Sequence, residues 1–132
     1  MKKILVVDDS AVIRRTLAHS LKANEFNVLT AADGSEAVST MRKERPDLIL
    51  LDIGFPPQVD GPPWDGFAII QWLRRIEEAK NIPIIIITGA DAAKFKDRAL
   101  AEGVQGYFQK PINNDELVAA IRSTLNGSTP VK

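Results

Sequence analysis

Two short apolar runs in this chain end in acids. Val6-Val7-Asp8-Asp9-Ser10 closes the first and Leu48-Ile49-Leu50-Leu51-Asp52 closes the second. A later segment, Tyr107-Phe108-Gln109-Lys110-Pro111, ends in a lysine. Carboxylates are hard oxygen donors suited to a small divalent cation, and a lysine ammonium is a compact charge that binds phosphate oxygens. If these runs are neighbouring parallel strands, Asp8, Asp9, Asp52 and Lys110 gather at one edge of the sheet. Open α/β sheets place their ligands there, beyond the carboxyl ends of the strands. The chemistry within reach is phosphoryl transfer. A carboxylate attacks phosphorus while a cation and a lysine neutralise the charge that would otherwise repel it.

Positioning these groups requires alternating strands and helices, and the chain has that pattern. Lys3–Val7 is too short for a helix and rich in β-branched residues, so it reads as a buried strand. Asp9 or Ser10 can cap a following helix in which Val12, Ile13, Leu17 and Leu21 recur at helical spacing. Residues 27–32 read as a second strand and Asp33-Gly34 as a turn. Ala37, Val38 and Met41 mark a second helix, which Pro46 helps to stop. Residues 47–51 form a third strand that is almost wholly apolar, as expected of a parallel sheet covered on both faces. The prolines and glycines between Asp52 and Asp65 disfavour regular structure. Beyond them, Phe67, Ile70, Leu73 and Ile76 mark a third helix, with Met41 and Trp72 read as core. Residues 83–88 and 104–109 read as strands four and five. An alanine-rich helix over 91–102 lies between them, and a last helix over 113–125 is capped by Asn113 or Asn114. Five βα units with right-handed crossovers make a doubly wound α/β sandwich.

At 132 residues the chain has the length of one ordinary domain. Seventeen basic residues balance seventeen acidic ones, so no basic excess points to nucleic acid. No apolar stretch approaches the roughly 18 residues of a membrane span, and acids interrupt the apolar N-terminus too early for a signal peptide. Without cysteine there is no disulfide framework, zinc-thiolate site or thiol nucleophile. The expectation is a cytoplasmic domain with no membrane or nucleic-acid partner. Residues 1–126 should form the domain and 127–132 a flexible tail or linker stub.

Four segments together resemble the receiver domain of two-component response regulators, the CheY-like superfamily. They are Val7-Asp8-Asp9-Ser10 with Arg14 and Leu17, the run from Asp47 to Asp52, Ile86-Ile87-Thr88-Gly89, and Tyr107-Phe108-Gln109-Lys110-Pro111. Each is weak alone; in this order, each at a strand end, they are strong. The resemblance implies a flavodoxin-like fold with a five-stranded parallel sheet of order 2-1-3-4-5 and five helices. It implies Asp52 as phospho-acceptor and Mg2+ held by Asp8, Asp9, Asp52 and the backbone carbonyl of Gly54. Lys110, followed by a cis peptide to Pro111, and the Thr88 hydroxyl would contact the phosphoryl group. Thr88 and Tyr107 would form the switch that repacks the surface made by the helix over 91–102, the fifth strand and the last helix. The phosphoryl donor would be a sensor histidine kinase or a histidine phosphotransfer protein. The signal would pass to an unknown downstream effector or to an output domain outside these 132 residues.

Two other classes compete. A phosphatase of the haloacid-dehalogenase type also uses an aspartate nucleophile, but needs a second aspartate two positions on, where this chain has Gly54. A degenerate receiver would bind partners without phosphorylation, but the set Asp8, Asp9, Asp52, Thr88 and Lys110 is complete. A nucleotide-binding P-loop is missing from the sequence. The reading is therefore a regulator that phosphorylates and dephosphorylates only itself, not an enzyme. The interval from Asp52 to Thr88 is longer than receivers usually show, which points to an insertion at residues 58–64, with Asp60-Gly61 as a competing alignment to Asp65-Gly66; Trp64 and the prolines would then form a lip over Asp52. His19 is expected at the surface, and Arg14-Arg15 on a solvated helix face.

Overall fold

The computed structural model describes residues 2–52, 66–77, 79–88, 103–109 and 112–126, together with Asp97, Leu100 and Ala101, with the backbone alone at 66–68 and 88. Five strands alternate with helices along the chain. They are β1 (Lys3–Val7), α1 (Ala11–Ala23), β2 (Asn27–Ala31), α2 (Gly34–Glu44), β3 (Leu48–Leu51), α3 (Gly66–Arg75), β4 (Ile84–Thr88), β5 (Gly106–Gln109) and α4 (Asn114–Leu125). All pairings are parallel and the spatial order is β2-β1-β3-β4-β5, as expected. Between β3 and α3, and over most of the helix expected at 91–102, the chain lies outside the described residues. Asp97, Leu100 and Ala101 are helical there. The tail at 127–132 also lies outside them.

Alternation along the strands divides the core into two layers, one on each face of the sheet. Leu5, Val7, Ile49, Leu51, Ile84 and Ile86 point to one face, where Ala37, Val38 and Met41 of α2 and Ile69, Ile70 and Leu73 of α3 cover them. Ile4, Val6, Leu48, Leu50, Ile85 and Ile87 point to the other, against Leu17 and Leu21 of α1 and Leu117, Val118 and Ile121 of α4. Every residue of β3 is fully buried, which is why its sequence carries no polar alternation.

The helix starts are fixed by side-chain caps. Ser10, of the two candidates, caps α1 by accepting from the Ile13 amide at 3.3 Å, and Asn113 caps α4 through the Glu116 amide at 3.1 Å. Asp33-Gly34 departs from expectation. It is no free turn: Asp33 caps α2 by accepting from the Glu36 amide at 2.8 Å, and Gly34 is already helical. Trp72 also departs, being 38% exposed and not core. It shares an open groove of about 480 Å³ with Ser35, Val38, Ser39, Arg42 and Lys43. Val12 stands 68% exposed on α1, because its neighbours Ile13, Leu17 and Leu21 already define the inward stripe. Met41 is buried and His19 exposed, as expected.

Candidate functional site

The strand order decides where the acids meet. From β1 the chain passes outward to β2, then returns to place β3 on the other side of β1, so the connections diverge between β1 and β3. At such a switch point the loops leave a crevice beyond the strand ends. Val7 is in register with Leu51, and the next residue on each strand is an acid. The ladder continues one step into them: the Asp52 amide donates to the Val7 carbonyl at 2.9 Å and the Asp8 amide to the Ala31 carbonyl at 3.1 Å. Both are backbone continuations of buried strands, so both side chains are drawn below the surface. Asp8 is fully buried and Asp52 is 4% exposed.

Asp9 stands at the surface beside them, and one carboxylate oxygen from each of Asp8, Asp9 and Asp52 lies within 4.8 Å of the others. Three anionic oxygens this close, two of them buried, repel one another strongly unless a cation sits among them. The donor set is all oxygen, small in number and open on the Asp9 side, which suits Mg2+ with water completing its shell. Asp8 is held further by the Ser10 amide, which donates to its Oδ1 at 2.9 Å.

The remaining expected groups are placed less completely. Thr88 ends β4 opposite Gln109, which ends β5, so both strands finish at the same edge as Asp8 and Asp52. Tyr107 is buried, in register with Ile86, and packs with the layer beneath α2 and α3. Gly54, Lys110, the Lys110-Pro111 peptide and residues 58–64 lie outside the described residues. Lys110 directly follows Gln109 in sequence.

One contact at this edge was not expected. Arg14 does not simply face water: its Nη1 donates to the backbone carbonyl of Asp8 at 2.6 Å. Arg15 is exposed, as expected. Helix geometry permits the contact, because side chains in the first turns of a helix lean toward its N-terminus. An arginine at the fourth helical position can therefore reach back over the strand end that precedes the helix.

Comparison with known proteins agrees with this architecture. The sequence model of the response regulator receiver domain matches residues 4–122. The chain belongs to that family. A probable transcriptional regulator ycf27 of Porphyridium aerugineum is 38% identical over 94% of this chain and 48% of its own length. The response regulator MprA of Mycolicibacterium vanbaalenii is 34% identical over 97% of this chain and 52% of its own. This chain thus spans about half the length of the curated relatives it matches. Among solved structures, the chemotaxis protein CheY4 of Vibrio cholerae superposes with a TM-score of 0.81 at 33% identity, covering 92% of this chain and 97% of that one. A CheY-like receiver domain protein of Methanospirillum hungatei, 24% identical, shares the fold with a TM-score of 0.84 over 96% of this chain and 95% of its own.

Proposed function

We propose that this domain accepts a phosphoryl group on Asp52 and transmits its presence as a change of surface. The observation that carries the reading is the meeting of buried Asp8 and Asp52 with Asp9 at the β1–β3 switch point. Asp52 supplies the nucleophile: one carboxylate oxygen attacks phosphorus, the bond from phosphorus to the donor breaks, and an acyl phosphate results. Asp8, Asp9 and Asp52, with the Gly54 carbonyl, would hold Mg2+, which when bound neutralises charge on the attacking and transferring groups. Lys110 would pair with the phosphoryl oxygens and the Thr88 hydroxyl would donate to one of them. Positioning and charge neutralisation account for most of the rate in phosphoryl transfer, so this short set is sufficient.

The donor is a phosphohistidine on a sensor kinase or a phosphotransfer protein, and the domain turns over no substrate besides its own phosphate. Gly54, where a phosphatase of the competing class needs its acid, supports that reading. Thr88 and Tyr107, on the paired strands β4 and β5, carry the change from the phosphate to the surface beside α4. The effector is a partner protein or a further domain, as the double length of the transcriptional regulator relatives suggests. None of the described helices is long and apolar enough to cross a membrane, in keeping with a cytoplasmic regulator.

Beryllofluoride, which mimics an acyl phosphate on a carboxylate, provides the test. Added with Mg2+, it should shift the backbone amide resonances of Asp8, Asp9, Asp52, Thr88 and Tyr107. Unchanged spectra in the presence of both would favour a receiver that acts without phosphorylation.

A further inference from the structure

We propose that Arg14 is a positioning residue for the acidic site, setting its affinity for the divalent cation through the Asp8 backbone. The inference rests on the reading of Asp8, Asp9 and Asp52 as cation ligands. Its ground is the 2.6 Å hydrogen bond from the Arg14 guanidinium to the Asp8 carbonyl. That carbonyl belongs to the planar peptide unit joining Asp8 to Asp9. Fixing its direction fixes ψ of Asp8 and φ of Asp9 together, and so the placement of one carboxylate relative to the other.

Three other bonds immobilise the same junction. The Asp8 amide is bound to the Ala31 carbonyl and the Ser10 amide to Asp8 Oδ1, at 3.1 and 2.9 Å. The Arg14 amide itself donates to the Ser10 carbonyl at 3.0 Å. These bonds hold the flanks of the turn. The guanidinium acts on the peptide between the two acids. It comes from the helix that follows, so α1 braces the ligands it succeeds. A guanidinium suits this task because it stays charged and presents a rigid planar donor.

Arg14 has two possible effects on the cation, and they differ in sign. Holding the acids in place raises affinity, whereas a fixed positive charge beside them lowers it. Our proposal is that the first dominates. Mg2+ binding measured by titration calorimetry on the intact chain decides between them, with Asp8→Asn as the reference for a lost ligand. Arg14→Met should weaken Mg2+ on the order of tenfold, as loss of a group that orients a metal ligand typically does. Arg14→Lys, which restores a charged donor, should recover much of the loss. With acetyl phosphate as donor, Arg14→Met should need more Mg2+ for half-maximal phosphorylation yet reach a similar rate at saturation. A purely structural role would not produce that split.

Mg2+ affinity in Arg14→Met that equals or exceeds the original overturns the proposal; an increase would mark Arg14 as a charge opposing the cation. Arg14→Gln, a milder change judged by the same criterion, serves if the methionine variant does not fold. Absence of Mg2+ binding in the unaltered chain would instead overturn the reading of the acids themselves, and this inference with it.

Discussion

Asp8 and Asp52 are the buried charged residues among those described, and both lie at strand ends beside Asp9. Burying a carboxylate is costly unless partners offset it, and a cation shared with Asp9 is a partner that this cluster would suit. A cation bound there as proposed would add to that offset and stabilise the folded state by mass action. At a hundredfold excess over its dissociation constant the gain is about 2.7 kcal/mol. Calorimetric melting should therefore show Mg2+ raising the transition of the unaltered chain and scarcely moving that of Asp8→Asn. Equal shifts in both would mean that the cation acts elsewhere. These acids were legible in the sequence because a charge directly after Leu48-Ile49-Leu50-Leu51 has no reason to follow a buried strand unless it is used. The bond from Arg14 was not, because two adjacent arginines on a helix look like a solvated face. Spacing alone does not reveal that one of them turns back. Trp72 was misplaced for the complementary reason. Ile69, Ile70 and Leu73 already fill the inward face of α3, and the indole is left at the edge of a groove.

At the scale of elements, caps and layers do most of the specifying. Asp33 ends the β2 connection and starts α2 in one step, its carboxylate accepting from the Glu36 amide at 2.8 Å. Replacing it with alanine should lower stability by about 1 kcal/mol, read as a shift of the urea midpoint with unchanged slope. A negligible shift would return Asp33-Gly34 to the role of a simple turn. Arg74 is a second device invisible in the sequence. It leaves the end of α3 to donate to the Lys80 and Ile82 carbonyls at 3.2 and 2.8 Å and to the Gly103 carbonyl at 3.3 Å. Partial burial pushes its guanidinium below the usual arginine range. The arginine thus joins the approaches to β4 and β5, tying together the two strands that bear Thr88 and Tyr107. Strand and helix identities were legible because β-branched runs and helical stripes alternate cleanly. Their ends were less so: β2, β3 and β4 are each one residue shorter than expected and β5 two, since pairing with the neighbour, not composition, sets where a strand stops.

At the scale of the molecule, the sheet order converts distant sequence into one site. Residues 8 and 52 come together because β1 and β3 are neighbours, and β4 and β5 end at the same edge. The order itself follows from five parallel βα units and the resemblance carried by the strand ends, which is why the fold could be anticipated nearly whole. What no local pattern supplied was the arrangement of backbone bonds at the β1–α1 junction, a property of packing. In the function proposed for this site, Asp52 forms an acyl phosphate in a reaction that needs the cation. Intact mass after incubation with acetyl phosphate and Mg2+ tests it most directly, with EDTA and Asp52→Ala alongside. One phosphoryl increment is expected, lost in both controls and released by hydroxylamine. An increment that persists in Asp52→Ala, or forms equally in EDTA, would contradict it.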